Sequence, residues 1–248
     1  MTTQYQFLPE TDSTNRWLKD HGAANDGQAV VCWTDYQTAG RGCGENSWES
    51  ERGQNLLFSV LVRPTFLDAG SQFVISMMMA NAICKQLSGS LLPAESISVK
   101  WPNDIYVGDW KICGILIENH LRGRHIAESV LGVGVNVNQK RFVSDAPNPV
   151  SLAQLTGHEV ERLPLMKAIV ESFCKDLETL EADINHAEAV RSSYLARLYR
   201  RERFHSYRDE QGDFEAELMT VETDGHLVLR DKEGKTRRYA FKEVQFVL

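Results

Sequence analysis

The sequence predicts an α+β protein in which a mixed β-sheet flanked by helices is followed by a small all-β unit. Apolar runs of strand length alternate with longer apolar or amphipathic runs of helix length up to about Arg200. Beyond that point, short alternating strands are separated by Asp-Gly and Glu-Gly turn signals. A chain of 248 residues accommodates one large domain with a small appendage, so we predict domains at 1–199 and 200–248.

Local signals predict each element of the first domain in turn. Ser13 or Thr14 caps a helix that buries Trp17 and Leu18 and ends near Gly22. Apolar runs that predict strands occupy residues 29–34, 55–63, 96–100, 111–118 and 126–138. Runs that predict helices occupy residues 73–87, 165–182 and 186–197. A turn around Gly123 joins the last two strands as a hairpin, and the proline-containing residues 144–150 form a loop.

The C-terminal residues predict a series of β-hairpins. Strands are predicted at residues 214–222, 226–230, 237–241 and 244–248. Asp224-Gly225 and Glu233-Gly234 supply turns between them. We therefore expect a small β-barrel at the C-terminus.

Composition excludes several classes of protein. The formal net charge is −7, so nothing suggests a dedicated DNA-binding protein. Five scattered cysteines without CxxC spacing argue against a disulfide framework and a structural zinc site, and favour reduced thiols in the cytoplasm. No apolar run approaches the roughly 20 residues of a membrane span, and the N-terminus does not resemble a secretory signal. The seven histidines show no metal-ligand spacing.

Three short polar islands stand beside predicted strands. In the first, QTAGRGCGENSW at 37–48, the glycines of GRGCG allow backbone N–H groups to approach an anion, and Arg41 adds a bidentate donor. The spacing matches neither a dinucleotide fingerprint nor a P-loop, and a mobile surface turn remains an alternative. Trp48 either stacks on a purine or caps the core. Cys43 suggests a thiol nucleophile, but no base is visibly placed beside it.

The second and third islands are KWPNDI at 100–105, continuing to Lys111 and Gly114, and GVGVNVN at 132–138. Asn103 and Asp104 are expected at the carboxyl end of a strand, where α/β sheets usually bind ligands. A solvated hairpin lysine is the alternative for Lys111. Asn136 and Asn138 share one face of the predicted strand, and both a functional cleft and satisfied core amides remain open for them.

Taken together, the islands resemble the biotin–protein ligase family, whose enzymes attach biotin to a lysine of carboxylase carrier domains. The resemblance rests on STN at 13–15, QTAGRG at 37–42, Trp48, KWPNDI, residues 111–118 and GVGVNVN, in matching order and spacing. It is to the monofunctional type, which lacks the N-terminal DNA-binding domain of some members. The resemblance implies a class II synthetase-like catalytic domain with an SH3-like C-terminal barrel, and activation of biotin as biotinyl-5'-AMP.

The resemblance also implies roles for individual residues. Arg41 and Lys111 are the predicted catalytic residues, which neutralise the biotin carboxylate and the α-phosphate. The predicted biotin-binding residues are Ser13, Thr14, Asn15, Gln37, Arg41, Gly42, Cys43, Lys111 and Gly114. The predicted ATP-binding residues are Trp48, Lys100, Asn103, Gly132 and Asn136. Mg²⁺ is expected to enter with ATP and not to be ligated directly by side chains. The implied protein partner is a biotin carboxyl carrier domain, while homodimerisation stays open.

The glycine loop departs from the commoner family pattern. Cys43 and Asn46 occupy frequent arginine positions, and Gly44-Glu45 reverses the usual order of glycine and polar residue. We hypothesise that the loop therefore closes less firmly and releases the adenylate more readily.

Two functions other than a biotin ligase are also compatible with the general fold or the ligand. A lipoate or octanoate transferase is disfavoured by the polar set at 13–15 and the Trp-containing loop, and a non-catalytic biotin sensor is disfavoured by the presence of Arg41 and Lys111.

Overall fold

A seven-stranded sheet forms the first part of the computed structural model, which describes residues 1–44, 46–144 and 148–247. Its strands are β1 (Thr2–Leu8), β2 (Gln28–Thr34), β3 (Leu56–Val62), β4 (Ile97–Lys100), β5 (Asp104–Val107), β6 (Trp110–Arg122) and β7 (His125–Val135). They lie in the order β1-β2-β3-β7-β6-β5-β4. Strands β1 and β2 are parallel and all other neighbours are antiparallel, so the predicted mixed sheet is confirmed.

Helices cover both faces of this sheet. They are α1 (Thr14–His21), α2 (Phe73–Leu87), α3 (Leu152–Thr156), α4 (Arg162–Ala182) and α5 (His186–Ala196). Helix α2 packs against α4 and α5 on one face, where Met77–Met79 are buried in the core. Helix α1 packs on the opposite face, and Leu18 joins a second apolar cluster with Val30, Leu61 and Val130. No described helix has both the length and the apolarity needed to span a bilayer.

The short helix α1 leaves part of its own face of the sheet uncovered. Side chains alternate between the two faces of a strand, so residues with the same parity as Leu61 point toward α1. In β3 these include Ser59 and Leu57, which pair with Gly132 and Gly134 of β7. Gly134 pairs in turn with Gly114 of β6. Three glycines, Gly114, Gly132 and Gly134, thus leave this region of the sheet without side chains, and we call it the glycine floor.

A five-stranded antiparallel sheet forms the C-terminal part. Its strands are β8 (His205–Asp209), β9 (Gly212–Val221), β10 (Leu227–Asp231), β11 (Thr236–Tyr239) and β12 (Gln245–Phe246). They lie in the order β11-β10-β9-β8-β12. The predicted turns are present, with Gly225 and Gly234 at φ values of 93° and 83°. Within the described residues β11 does not pair with β12, so the predicted barrel is not closed. The intervening residues Phe241, Lys242 and Val244 instead face the first sheet.

The structure corrects several sequence predictions. Strand β1 was missed because its polar Thr and Gln residues lie on an exposed sheet edge. Strand β5 was missed because only four residues follow the turn at Pro102. Asp104 begins this strand and also lies opposite Lys100 at the carboxyl end of β4, where it was expected. Strand β8 and helix α3 were also missed, although Ser151 and Gln154 form a capping box at the start of α3. The predicted loop residues 145–147, and residue 248 of the predicted last strand, lie outside the described residues.

Candidate active site

A cavity of about 770 Å³ lies between the glycine floor of the first sheet and the edge of the second. This volume falls in the range of small-molecule sites. The structure brings to its wall every predicted site residue except Asn136. These residues are Ser13, Thr14, Asn15, Gln37, Arg41, Gly42, Cys43, Trp48, Lys100, Asn103, Lys111, Gly114 and Gly132. Segments far apart in sequence therefore converge on one site.

One end of the cavity is an uncharged hydrogen-bonding network. The backbone N–H and the hydroxyl of Thr14 donate to Gln37 Oε1 over 2.8 and 3.1 Å. The Ser59 hydroxyl donates to Asn15 Oδ1 over 2.6 Å and lies 2.7 Å from Thr14 Oγ1. Because Ser13, Thr14, Asn15 and Ser59 are all buried, their orientations are set before a ligand arrives. Sequence reasoning missed Ser59, although a lone hydroxyl in the apolar run LLFSVLV was an available signal.

The two basic side chains that were predicted to be catalytic, Arg41 and Lys111, line the cavity from different elements, and each lies near a carboxylate. Lys111 Nζ on β6 lies 2.7 Å from Asp104 Oδ1 on β5. Arg41 Nη1 in the glycine loop lies 3.6 Å from Glu118 Oε1 on β6. Sequence reasoning assigned no role to either carboxylate. Both cations line the same cavity, and each is paired with a carboxylate that a ligand anion can replace or join.

Glu118 connects the cationic and uncharged parts of the site. It accepts hydrogen bonds from Lys19 Nζ over 2.5 Å and from Asn15 Nδ2 over 2.8 Å. Partial burial by itself raises the pKa of Glu118, but these hydrogen bonds and the charge of Lys19 outweigh it and leave the pKa below its usual value. Glu118 therefore stays ionised and holds Asn15 in place.

Trp48 lies directly on the glycine floor. A Cβ atom at Gly134 would stand 2.7 Å from the indole Nε1, and one at Gly114 would stand 2.9 Å from Cζ3. Lys111 Nζ lies 5.7 Å from the centre of the Trp48 ring. The indole is thus half-buried against the sheet inside the cavity, where it can contact a ligand. Gly134 was not among the predicted site residues.

The asparagines divide into different roles. Asn103 lines the cavity and donates to the Ile115 carbonyl over 2.6 Å. Asn138 exchanges two hydrogen bonds with the backbone of Val160, so its amide is satisfied away from the cavity. Asn136 is 3% exposed and does not lie on the cavity wall. Both follow the last residue of β7, Val135, so the two-residue strand period predicted for them does not apply.

The C-terminal sheet supplies one wall of the cavity, through residues that the sequence did not single out. Its contributions are Phe241, Lys242, Val244, Gln245 and Phe246. Phe241 packs edge-on against Trp101, with ring centres 6.4 Å apart, and Lys100 Nζ lies 5.5 Å from the centre of the Phe246 ring. Burial lowers the pKa of Lys100. These contacts join the KWPNDI island to residues more than a hundred positions away, so no local pattern marks them.

Two other chemistries fit the described residues less well. Burial raises the pKa of the Cys43 thiol, although the charge of Lys242 opposes this, so Cys43 is a poor thiolate nucleophile. Glu222, Asp224 and His226 hold potential metal-ligand atoms within 4.8 Å of one another. The Arg238 guanidinium already contacts all three of these side chains, which makes the cluster an ion-pair network around an arginine.

Comparison with known proteins gives consistent similarities. Residues 7–136 match the model of the biotin/lipoate A/B protein ligase family. The chain is 34% identical over 181 residues to the Escherichia coli bifunctional ligase/repressor BirA, covering 71% of this chain and 54% of BirA. It is 27% identical over 233 residues to the biotin–acetyl-CoA-carboxylase ligase of Paracoccus denitrificans, covering 92% and 95%. The aligned part of the chain thus spans about half the length of the Escherichia coli and Salmonella typhimurium BirA proteins.

Solved structures share the fold. The biotin protein ligase of Aquifex aeolicus, in complex with biotin and ATP, superposes with a TM-score of 0.79 at 22% identity, covering 98% of this chain and 99% of that one. The Leishmania major biotin protein ligase in complex with biotinyl-5-AMP gives a TM-score of 0.62 at 24% identity, covering 95% and 98%. At these identities the superpositions establish the architecture of both sheets.

Proposed function

Because the chain belongs to the biotin/lipoate A/B protein ligase family, we propose that it is an ATP-dependent biotin–protein ligase. It activates biotin as biotinyl-5'-AMP and transfers the biotinyl group to a specific lysine of a biotin carboxyl carrier domain. The observation that carries the proposal is that Arg41, Lys111 and the uncharged network around Thr14 line one cavity. A cavity with this arrangement can hold a polar neutral ring at one end and two anions at the other.

The uncharged network suits the ureido ring of biotin. That group presents two N–H donors and one carbonyl acceptor and carries no charge. Hydroxyls and amides can satisfy all three, since each offers both donors and acceptors. Ser13, Thr14, Asn15 and Gln37 supply such groups at the buried end of the cavity. The biotin carboxylate then points along the glycine floor toward Arg41 and Lys111.

The two cations allow the carboxylate and a phosphate to approach each other. A biotin carboxylate oxygen attacks the α-phosphorus of ATP, the bond to the bridging oxygen breaks, and pyrophosphate leaves with that electron pair. Lys111 and Arg41 stabilise the negative charge gathered at the reacting phosphate. The carrier lysine, as a free amine, then attacks the acyl carbon of the mixed anhydride, giving an amide and AMP. Catalysis is positioning and electrostatic stabilisation, without an enzyme nucleophile.

The nucleotide occupies the outer part of the cavity in this proposal. Trp48, Lys100 and Asn103 form this region. Gly132 lies instead against Asn15 at the uncharged end, since a Cβ atom there would stand 3.0 Å from Asn15 Cγ, and Asn136 would have to move to take part. Asp104 is the one carboxylate among the described residues that line the cavity, and it is paired with Lys111. This donor set fits Mg²⁺ that arrives on the triphosphate and not Mg²⁺ held in a protein cage, since Mg²⁺ prefers several oxygen ligands.

The C-terminal sheet forms the side of the cavity that a carrier domain would approach. A biotin carboxyl carrier domain is the protein partner we propose, in line with the acetyl-CoA-carboxylase ligase name of the Paracoccus relative. A cytoplasmic location also stays a proposal, which the five free cysteines support.

The decisive experiment is incubation with ATP, Mg²⁺, labelled biotin and an acceptor carrier domain. We expect label on the carrier and one AMP formed per biotin attached. Labelled lipoate serves as the competing substrate, and a carrier whose acceptor lysine is changed to arginine serves as the control. Transfer of lipoate in preference to biotin, or biotin binding without release of pyrophosphate, would overturn the proposal.

A further inference from the structure

Lys242 enters the cavity from the C-terminal sheet. It lies in the turn between β11 and β12, and its side chain crosses to the glycine loop of the first domain. A Cβ atom built at Gly44 would stand 3.0 Å from Lys242 Cε and would collide with Nζ. The ammonium group is also close enough to Cys43 to lower the pKa of its thiol against the larger effect of burial. Lys242 therefore places a positive charge where the loop has a neutral thiol.

The other cations of the cavity already have partners. Lys111 lies 2.7 Å from Asp104, Arg41 lies 3.6 Å from Glu118, and Lys100 donates to the Tyr106 hydroxyl over 3.2 Å. Among residues 1–44, 46–144 and 148–247, no carboxylate lies within ion-pair distance of Lys242 Nζ. Its aromatic neighbour is Phe241, whose ring centre is 5.9 Å away. Glu45 of the glycine loop lies outside the described residues. Within the described part of the cavity, Lys242 is thus the cation that can bind an incoming anion without giving up an existing polar partner.

The backbone at Lys242 is unfavourable for a lysine. Its φ value is 72°, in the left-handed region where glycine is favoured and a residue with a Cβ atom is strained. Strain of this kind is tolerated where the side chain contributes something that glycine lacks. At this position a lysine contributes a long cationic side chain that reaches across the gap between the two sheets.

We propose that Lys242 binds the outer phosphates of the nucleotide, those that leave as pyrophosphate. This inference rests on the proposed function and extends it with a residue from the second sheet. Lys242 is exposed at the cavity mouth and also lines the polar groove on the C-terminal sheet. The phosphates nearest to solvent are therefore the ones it meets, while Lys111, whose side chain is 23% exposed, acts deeper in the site.

The position of Lys242 is relevant to the arginine residues that the glycine loop lacks. With Cys43 and Asn46 at frequent arginine positions, the sequence suggested weak closure of the glycine loop. Lys242 places a positive charge at this point of the loop from the turn between β11 and β12, because its ammonium lies beside Gly44 and Cys43. The positive charge beside the glycine loop therefore comes from a residue of the second sheet.

The test compares Lys242→Gly with Lys242→Arg and Lys235→Ala in the full-length chain. Glycine fits the left-handed backbone, so the first variant removes the charge without straining the fold. Lys235 lies on the same sheet but lines only the polar groove, so it controls for general loss of positive charge. Binding of MgATP and of biotin is measured separately by titration calorimetry, at low and high salt.

We expect Lys242→Gly to weaken MgATP binding about tenfold, since one hydrogen bond to a charged group is lost. Biotin affinity should not change, and the loss should shrink at high salt because the Debye length shortens. Lys242→Arg should retain most of the affinity, and Lys235→Ala all of it. Equal MgATP affinity in the wild type and Lys242→Gly would overturn the inference, as would an equal loss in Lys235→Ala.

The outcomes separate this inference from the proposed function. If the wild type binds MgATP through Lys242 but shows no biotin-dependent release of pyrophosphate, the ligase proposal fails and the phosphate-binding role stands. If the wild type ligates biotin and Lys242→Gly has unchanged MgATP affinity, the phosphate-binding role fails and the ligase proposal stands. A wild-type chain that binds no MgATP overturns both.

Discussion

Lys111 Nζ lies 2.7 Å from Asp104 Oδ1, and the two side chains are 23% and 21% exposed. The pair links neighbouring strands β5 and β6 at the cavity wall. Asp104 thereby fixes where the lysine charge is held, and it is a positioning residue in the proposed reaction. Removing either partner leaves the other unpaired in a largely buried position, which is destabilising.

The first prediction separates the chemical role of Lys111 from its structural role. We expect Lys111→Ala to slow adenylate formation by about 100-fold or more, the usual cost of removing one fixed charge-stabilising group. Its melting temperature should also fall, because Asp104 is left unpaired. The double variant Asp104→Asn/Lys111→Ala should regain much of the stability but none of the activity. Recovery of the rate in the double variant would show that Lys111 acts only by neutralising Asp104.

The second prediction concerns the buried hydroxyl of Ser59. Ser59→Ala removes the donor to Asn15 Oδ1 and the neighbour of Thr14 Oγ1, and it should lower the free energy of unfolding by about 1–3 kcal/mol. Biotin binding should weaken as well, because Asn15 and Thr14 lose their fixed orientations. Chemical denaturation and calorimetry measure the two effects.

Ser129 provides a matched control for Ser59. It is equally buried, on β7, and its hydroxyl has no hydrogen-bond partner among the described residues. Ser129→Ala should therefore leave stability unchanged or raise it, with biotin affinity intact. Equal losses in the two variants would mean that strand packing, and not the hydrogen-bonding network, accounts for the effect.

Local signals were sufficient to predict several of the elements that position the site. Helix α2 spans residues 73–87 as predicted, because Gly89 and Pro93 follow a continuous apolar run. Helix α1 begins after Ser13 and ends before Gly22, close to the predicted bounds, but the Ser13 side chain does not make the predicted capping hydrogen bond. The glycine loop and the KWPNDI island were visible because their residue types are unusual beside buried strands.

The rest depended on contacts between distant segments. Neither ion pair of the two cations that we propose to be catalytic could be predicted. Asp104 stood out within the KWPNDI island, but only the sheet shows that it pairs with Lys111, and Glu118 looks like an ordinary strand residue until the fold brings it beside Arg41. The wall at Phe241 and Lys242 exists only because the second sheet packs against the first. Asn136 shows the opposite error, since strand periodicity was extended past Val135, where the strand ends.

The third prediction tests the glycine floor beneath Trp48. Gly134→Ala would place a Cβ 2.7 Å from the indole Nε1, so the ring must shift. We expect a change in tryptophan fluorescence and a lower biotin affinity, since the added methyl group also occupies floor on which the ligand would lie. Gly70→Ala is the control, because a Cβ there meets no atom within 4 Å and its φ is not positive. Unchanged fluorescence and affinity in Gly134→Ala would place the ligand elsewhere in the cavity.

The fourth prediction is a pH dependence of stability that arises from Glu118. Partial burial raises its pKa, but hydrogen bonds from Lys19 and Asn15 and the charges of Lys19 and Arg41 outweigh this and lower it in the folded protein. A lowered folded-state pKa gives a stabilisation that is present above the unfolded value of about 4.3 and is lost as the pH falls through the folded value. The melting temperature of Glu118→Gln should therefore lie below that of the wild type near neutral pH, and the two should converge as the pH drops below about 4.3.

Glu95→Gln, at an exposed carboxylate without an ion pair among the described residues, is the control, and its melting temperature should follow that of the wild type throughout. A difference between Glu118→Gln and the wild type that stays constant down to the acid transition would mean that the lost contact, and not the charge, is what stabilises the fold.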